Sequence, residues 1–507
     1  MTATAGTRPA RDDTSIRRAT LLTAVLVGGG TALGFLRDLV MAHRFGAGSG
    51  TDAFLVAWTI PETVSPLLIE DAMAMVMVPV VTRMLREPDG VRPLVLSVLP
   101  RLAAALAAVT VAIALAAPHL VNLLAPGLDE PGPAARCVRL TALTVLAFGV
   151  AGFMSATLRA HHRFGPPAAI YLAYNAGILA MIAAFAAPLG ITSAALGVAC
   201  GGLLMIAVQA PAFLRCLRGS RPAARPSVGD GVLGAAVAVV LYTLTRQSQV
   251  LVERFLGSGL AAGSISHLNY AQKVGQVPMV ASLLLVTVTF PRLARASAGG
   301  DRDQVRRRVE SDLVVVSGVV LYATAALVAL APQVIELLFQ HGRFTADDAD
   351  RTALVLRVYM LGVWGQAMMG LSARAFFAGS RPVWHPMLAM AGGLAVTAVL
   401  GAALAGTVGT PALAAANATG ITVAALTLLV VLRKRVAPIS FRAVGRDVGT
   451  LFAAACAACL AGLAVTRGPA IASAPPLVQL VAGGAAVTAV YAAALVLSRR
   501  RPQREAS

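Results

Sequence analysis

The sequence predicts an all-α polytopic membrane protein with about fourteen transmembrane helices. Of its 507 residues, 57% are hydrophobic and 13% are charged, whereas a soluble domain has about 25% charged residues. Residues 164–214 and 382–432 each run for 51 residues without Asp, Glu, Lys or Arg, which is enough for two spans of about 20 residues. Aromatic residues make up only 5%, and no alternation of apolar and polar residues recurs, so a transmembrane β-barrel is excluded.

The basic residues predict the topology. The net charge of +19 is concentrated in every second loop, which indicates membrane orientation rather than nucleic-acid binding. Under the positive-inside rule these loops, and both termini, lie in the cytoplasm, so the number of spans is even. The basic clusters lie in residues 8–18, 83–101, 159–163, 215–225, 292–308, 374–381, 433–446 and 499–504.

Apolar runs between polar breaks place the individual helices. Each run is long enough to cross the bilayer, and fourteen is an even number, as the charge pattern requires. The predicted spans lie near residues 19–43, 52–82, 94–117, 136–159, 167–188, 191–216, 229–256, 265–291, 310–339, 350–378, 383–406, 410–433, 447–466 and 476–498.

An internal repeat predicts how these helices are organised. Similar segments recur at an offset of 210 to 218 residues, for example Arg44 with Arg254 and the two uncharged stretches with each other. A repeat of six helices gives two parallel lobes, which favours a central cavity and alternating access. The predicted regions are a basic tail (1–18), an N-lobe (19–225), a C-lobe (226–435) and two further helices with a tail (436–507). Pro61 and Pro278 are predicted hinges, or else tolerated kinks.

Charged residues inside the spans are candidate functional groups because each costs about 2.5–3.5 kcal/mol to insert. Arg37, Arg246 and Lys273 could bind a phosphate-bearing ligand in a water-accessible cavity. The structural alternatives are that Arg37 pairs with Asp38 near its helix end and that Lys273 pairs with an acid such as Asp52.

The sequence predicts the roles of the acidic candidates less specifically, because each has more than one explanation. Asp52 follows a Gly-rich turn, so it is predicted either to contact the ligand or to cap a helix. Glu70 and Asp71 could form a proton relay or an inner gate, or serve packing on the cytoplasmic side. The sequence contains no nucleotide-binding or metal-binding motif, so we expect no cofactor, no metal and no enzymatic activity.

The first two predicted helices contain a distinctive series of segments, namely Leu33-Gly34-Phe35-Leu36-Arg37-Asp38, Phe45-Gly46-Ala47-Gly48, Thr51-Asp52-Ala53-Phe54 and Pro61. This series resembles the opening signature of the MviN/MurJ family of lipid II flippases. Further matches lie in residues 251–254, 264–271 and 344–376, so the resemblance covers nearly the whole chain.

The resemblance implies a flippase of the multidrug/oligosaccharidyl-lipid/polysaccharide superfamily. Its substrate would be an undecaprenyl-pyrophosphate-linked saccharide, most simply lipid II, carried to the outer leaflet of the inner membrane. The family's cavity arginine corresponds to Arg37, its acidic residue after the glycines to Asp52, and its basic residue in the eighth helix to Lys273. The expected partners are this substrate, membrane lipid and cell-wall synthesis proteins, without nucleic acid.

The chain departs from the family pattern at several positions. Thr31 stands where the family usually has another arginine, and Ser65 and Pro66 stand where it has two. A polar pair that resembles a sodium site in some members is replaced by Thr397 and Gly401, which argues against sodium coupling.

These departures leave other functions open. The alternatives are a flippase for another lipid-linked glycan, an exporter of amphipathic drugs, and a non-transporting scaffold for cell-wall enzymes. A membrane glycosyltransferase is disfavoured because no large polar loop carries clustered carboxylates.

Overall fold

A computed structural model of the chain describes residues 11–70, 72–85, 91–217, 230–279, 302–377, 384–435 and 438–500, and every regular element in these ranges is a helix. The first elements are α1 (Arg11–Phe45), α2 (Ser49–Ser65), a π-helix (Pro66–Glu70), α3 (Ala72–Met84), α4 (Arg92–Leu115), α5 (Ala117–Leu124), α6 (Pro131–Thr141), α7 (Leu143–Ala160), α8 (Gly165–Leu189) and α9 (Thr192–Cys216). The others are α10 (Asp230–Ser258), α11 (Ser264–Gly275), α12 (Arg302–Phe339), α13 (Ala346–Met360), α14 (Val363–Phe377), α15 (His385–Val408), α16 (Thr410–Arg435), α17 (Phe441–Arg467) and α18 (Pro476–Arg500).

Most of these elements are long and apolar enough to cross a membrane. Within the described ranges eleven candidate spans qualify, and the pair α13 and α14, bent by 44°, makes a twelfth if it is one span. The other two predicted spans correspond to α10 and to α11, which is followed by residues 280–301 outside the described part. The prediction of an all-helical polytopic membrane protein is confirmed, whereas the count of fourteen stays a prediction.

The chain divides into two compact units. Unit 1 comprises Met1–Val40, Ala57–Leu120 and Gly132–Ala236, and unit 2 comprises Met41–Val56, Val121–Pro131 and Val237–Ser507. In unit 1, α7 is the central helix, because α3, α4, α9 and the π-helix all pack against it. The most apolar window of the α6–α7 span is 72% buried, compared with 6% for α4, so α7 lies inside the unit and α4 lies at its surface among the described residues.

Unit 2 is built around α12 and α16. Helices α13, α14, α17 and α18 pack on α12, while α16 packs on α13, α14 and α15. Small residues allow close approach between the membrane helices, as between α15 and α16, where a Cβ on Gly393 would lie 2.5 Å from the Gly420 carbonyl oxygen.

The second predicted span is irregular. Pro61 is buried inside α2, and the helix changes to the π form at Pro66. The π-helical turn lies against α7, and a Cβ on Gly152 would be only 1.8 Å from the Leu68 carbonyl oxygen. Because π-helical turns are rare and concentrate at functional sites, this segment is a candidate moving part. Of the predicted gating residues, Glu70 is the exposed last residue of the π-helix, and Asp71 lies outside the described residues.

Candidate functional site

Arg37 is the best-defined cation of unit 1. It is buried, with 8% of its surface exposed. Its Nε and Nη2 groups both donate to Oδ1 of Asp38, at 3.0 and 2.7 Å, and Nη1 donates to Oδ1 of Asn175 on α8 at 3.1 Å. A guanidinium has five N–H groups, so two remain without an acceptor in the described part of the chain. The pairing with Asp38 expected from the sequence is present, but it leaves part of the hydrogen-bonding capacity of Arg37 unused.

The other contacts of Asn175 show that its amide oxygen accepts the hydrogen bond from Arg37. Its Nδ2 donates to the carbonyl oxygens of Gly30 at 3.2 Å and Tyr171 at 2.9 Å. Only the amide nitrogen can donate to these carbonyls, so Oδ1 must face Arg37. The absence of a side chain at Gly34 permits this approach, because a Cβ there would lie 3.3 Å from Nδ2.

Trp58 forms an aromatic wall beside the guanidinium. The Cζ atom of Arg37 lies 4.3 Å from the centroid of the Trp58 ring, a cation–π contact. The ring of Tyr174 follows, with its centroid 6.2 Å from that of Trp58. The stacking covers one face of the guanidinium and leaves its edge available for hydrogen bonds.

A second polar contact of unit 1 joins the π-helix to α8. The Tyr171 hydroxyl donates to Oε1 of Glu70 at 2.5 Å and lies 3.0 Å from the Ser65 hydroxyl. Ser65 occupies a position where the resembling family has arginine, so this chain has a neutral hydroxyl there, hydrogen-bonded to Tyr171, instead of a cation.

Asp52, in unit 2, caps a helix other than its own. It is the fourth residue of α2 and is 3% exposed. Its carboxylate accepts from the backbone N–H groups of Gly263 and Ser266, both at 2.8 Å, and from the Ser266 hydroxyl at 2.5 Å. These groups belong to the first turn of α11, whose own N-cap residue, Gly263, has no side chain to do this. The capping role expected from the sequence is therefore present, but directed to α11.

The other predicted cations of unit 2 are less constrained. Arg246 is exposed on α10, with no hydrogen bond or ion pair to the described residues. Lys273 is half-buried in the last turn of α11 and interacts with its surroundings. It lies seven residues after Ser266, about 10 Å along the helix, so Asp52 and Lys273 serve opposite ends of α11. Pro278 is buried, three residues after α11 ends.

Glu253 forms the most enclosed polar cluster of unit 2. It is 4% exposed and accepts hydrogen bonds from Gln249 at 3.1 Å, from Gln272 at 2.5 Å and from Asn417. We call these three side chains the amide cage. They come from α10, α11 and α16, so the carboxylate joins three helices of the unit.

The sequence profile described as lipid II flippase MurJ matches residues 41–473. The chain belongs to the lipid II flippase MurJ family. It is 28% identical over 373 residues to a probable lipid II flippase MurJ of Rhizobium meliloti, covering 69% of each chain. It is 26% identical over 419 residues to the lipid II flippase MurJ of Burkholderia cenocepacia, covering 79% of this chain and 81% of that protein.

Solved structures agree on the fold. A MurJ lipid II flippase in an inward closed conformation matches with a TM-score of 0.79 and 18% identity, over 95% of this chain and 99% of that one. An inward-facing multidrug transporter of the MATE family matches with a TM-score of 0.66 and 12% identity, over 83% and 95%. The predicted family is confirmed, and it is a family of flippases rather than of catalysts.

The sodium site of some MurJ family members does not fit the residues present. The Thr397 hydroxyl donates to the Gly393 and Ala416 carbonyl oxygens, at 3.1 and 3.3 Å, so it serves its own helix pair. Gly401 supplies no ligand and faces an apolar side chain, since a Cβ there would lie 2.6 Å from Leu256. The described part of the chain contains no group of three or more His, Cys, Asp or Glu side chains placed to hold a metal ion.

Sequence reasoning did not identify the neutral residues of these clusters. Asn175 and Asn417 are the only asparagines in the two uncharged stretches, and this scarcity is the signal that could have found them. An amide in an otherwise apolar membrane helix needs a partner, because unsatisfied polar groups are costly in hydrocarbon. Trp58 carried no comparable signal, since an aromatic ring in an apolar span does not need a charged partner.

Proposed function

We propose that this chain transports lipid II, or a closely related polyprenyl-pyrophosphate saccharide, from the cytoplasmic to the outer leaflet of the inner membrane. The family supports the substrate class, and the alternating basic loops support a cytoplasmic position for both termini. The transport proceeds by alternating access and makes no covalent change to the substrate, so the chain is a transporter and not an enzyme.

The observation that carries this proposal is that Arg37 keeps hydrogen-bond donors without an acceptor. A buried guanidinium with two unused N–H groups can donate both to the oxygens of a phosphate. Asn175 and Trp58 hold the group in place before the substrate arrives, which lowers the ordering cost of binding.

The remaining predicted cations have supporting roles in this proposal. Arg246 and Lys273 contribute positive charge in unit 2, and Arg246 is accessible enough to contact a charged substrate. Asp52 acts indirectly, because its carboxylate is already occupied by the first turn of α11. It positions the helix that carries Lys273.

The proposed moving parts lie in the second span of the family pattern and in the eighth. Pro61 lies five residues before the π-helix, Glu70 is its last residue and Asp71 is the next residue in the sequence. Pro278 follows the end of α11. Proline removes a backbone hydrogen bond, so these segments resist bending less than a regular helix does.

Complementation tests the proposal. A bacterial host is depleted of its resident lipid II flippase and expresses the chain, the Arg37→Ala variant or the Arg136→Ala variant at equal abundance. We expect growth with the natural chain and with Arg136→Ala, because Arg136 is exposed on α6, and no growth with Arg37→Ala.

Each other outcome points to a different function. Equal rescue by all three proteins would favour the scaffold, since a scaffold needs no cationic site. Failure of all three, with correct insertion, would exclude lipid II in that host and favour another lipid-linked glycan. Resistance of the host to amphipathic cations would instead favour drug export.

A further inference from the structure

Arg357 is an intramembrane arginine that the transport site does not use. It lies in the last turn of α13, eleven residues after Ala346, which corresponds to about 16 Å along the helix axis. Helices α13 and α14 together are about 48 Å long, which exceeds the thickness of a bilayer core, so Arg357 lies on the α13 side of the middle of this candidate span. Sequence reasoning overlooked it because α13 begins with three aspartates and looks polar at its start.

The contacts of Arg357 leave most of its donors unused. It is half-buried, and its Nε group donates to the Val328 carbonyl oxygen on α12 at 3.1 Å. No carboxylate in the described part of the chain pairs with it. Four N–H groups therefore remain for another acceptor.

The neighbouring charge is positive. The electrostatic neighbours of Arg357 are Arg467, the last residue of α17, and the thiol of Cys459 on the same helix. Helix α17 packs closely on α12 at this level, since a Cβ on Gly462 would lie 3.0 Å from the Ala329 side chain. Arg467 lies five residues after Gly462, at the exposed end of α17, and its positive charge repels that of Arg357.

A purely structural role explains only part of this arrangement. A cation in the last turn is stabilised by the dipole of its own helix, which applies to Arg357 in α13. The dipole offsets a fraction of one charge and does not account for a second guanidinium nearby. An anion between the two would satisfy both, and in this setting the abundant anions are lipid phosphates.

We propose that Arg357 and Arg467 form a binding site for the phosphate of an anionic lipid. Arg357 binds from its position against α12, and Arg467, which is exposed at the end of α17, binds from the membrane surface. The site lies entirely in unit 2 and does not involve Arg37. The same phosphate chemistry is available from a phospholipid or from a polyprenyl pyrophosphate, and the experiment separates these sources.

Native mass spectrometry of the purified full chain measures lipid binding directly. The probes are phosphatidylglycerol, phosphatidylcholine with the same acyl chains, and undecaprenyl pyrophosphate. The variants are Arg357→Gln, Arg467→Gln and, as a control, Arg351→Gln, since Arg351 is exposed on α13 and paired with Asp347 at 2.9 Å. Loss of a charge-assisted contact predicts about a tenfold weaker affinity for phosphatidylglycerol in the first two variants. We expect the control and phosphatidylcholine binding to be unchanged.

A selective loss of undecaprenyl pyrophosphate binding would assign the site to the polyprenyl lipid. Equal affinities of the natural chain and both variants for both anionic lipids would overturn the proposal. The Arg467→Gln variant keeps the test valid if Arg357→Gln does not fold, because Arg467 is exposed and its removal leaves the core unchanged. A loss that extends to phosphatidylcholine would also overturn the proposal, since it would reflect a change in acyl-chain packing.

Discussion

The polar centres of the two units use amide side chains in opposite ways. In unit 1, Asn175 offers its oxygen to the cation Arg37, which is also paired with Asp38. In unit 2, the amide cage offers three N–H groups to the anion Glu253. The first centre retains unused donors around a positive charge, whereas the second has its negative charge surrounded by donors.

This difference separates a binding group from a structural one. A buried charge with spare hydrogen-bonding capacity can accept a ligand without breaking existing contacts. A buried charge that joins three helices stabilises the unit, and its removal leaves several donors unsatisfied. We therefore expect changes at Glu253 to affect stability first, and changes at Arg37 to affect transport first.

The largest loss of stability is expected for Glu253→Leu. This change leaves the amide cage without its acceptor, and each buried unsatisfied donor costs about 1–3 kcal/mol, so we expect a loss of about 3 kcal/mol or more. Thermal unfolding of the purified protein in detergent measures it. The control is Glu130→Leu at an exposed position, and equal unfolding temperatures for both variants would show that the cage does not stabilise unit 2.

Asp52→Asn is expected to lower the free energy of unfolding by about 2 kcal/mol. The substituted amide group would place a donor against a backbone N–H of Gly263 or Ser266, which removes one bond of the cap. Ser266→Ala removes only the hydroxyl contact and should cost about 1 kcal/mol. The same thermal unfolding assay ranks the two variants, and a smaller effect of Asp52→Asn would contradict the capping role.

Tyr171→Phe is expected to lower the free energy of unfolding by about 1 kcal/mol or less. It removes the hydroxyl between Ser65 and Glu70 but leaves no buried charge, because Glu70 is exposed and water can replace the contact. If the contact holds the π-helix in one conformation, the variant changes the transport rate in proteoliposomes more than the unfolding temperature. Unchanged transport would show that the contact has no gating role.

The smallest loss of stability is expected for the double variant Arg37→Gln with Asp38→Asn. Replacing both partners of a buried ion pair by neutral groups is often nearly neutral, so we expect a change under about 1 kcal/mol. Complementation should nevertheless be lost, since the cation is gone. Retained growth at equal abundance would remove Arg37 from the proposed binding site.

Helix positions followed closely from the sequence. The predicted span at residues 167–188 is α8, Gly165–Leu189, and the span at 191–216 is α9, Thr192–Cys216. Long apolar runs bounded by charge predict membrane helices well because the bilayer itself sets the length. The predicted span at 52–82 contains α2, the π-helix and α3, and apolar length alone could not reveal this. The π-helix depends on Gly152, a residue on a different helix.

The candidate site was predicted only in part. Arg37 stood out because charge is expensive in a membrane, and its pairing with Asp38 followed from their adjacency. Its contact with Asn175 joins residues 138 positions apart, and no periodicity connects them. The role of Asp52 was similarly open until α11 was located, because a carboxylate can cap any helix start that approaches it.

The sequence by itself determined that the chain spans the membrane repeatedly, where most helices lie and which charges need an explanation. These properties follow from the local cost of placing each residue in hydrocarbon, which depends on residue type and length of run. Tertiary structure alone decided which charged side chains have all their hydrogen-bonding groups occupied. This occupancy depends on the distances and directions of donors brought from other helices, and those are set by packing between segments far apart in the chain.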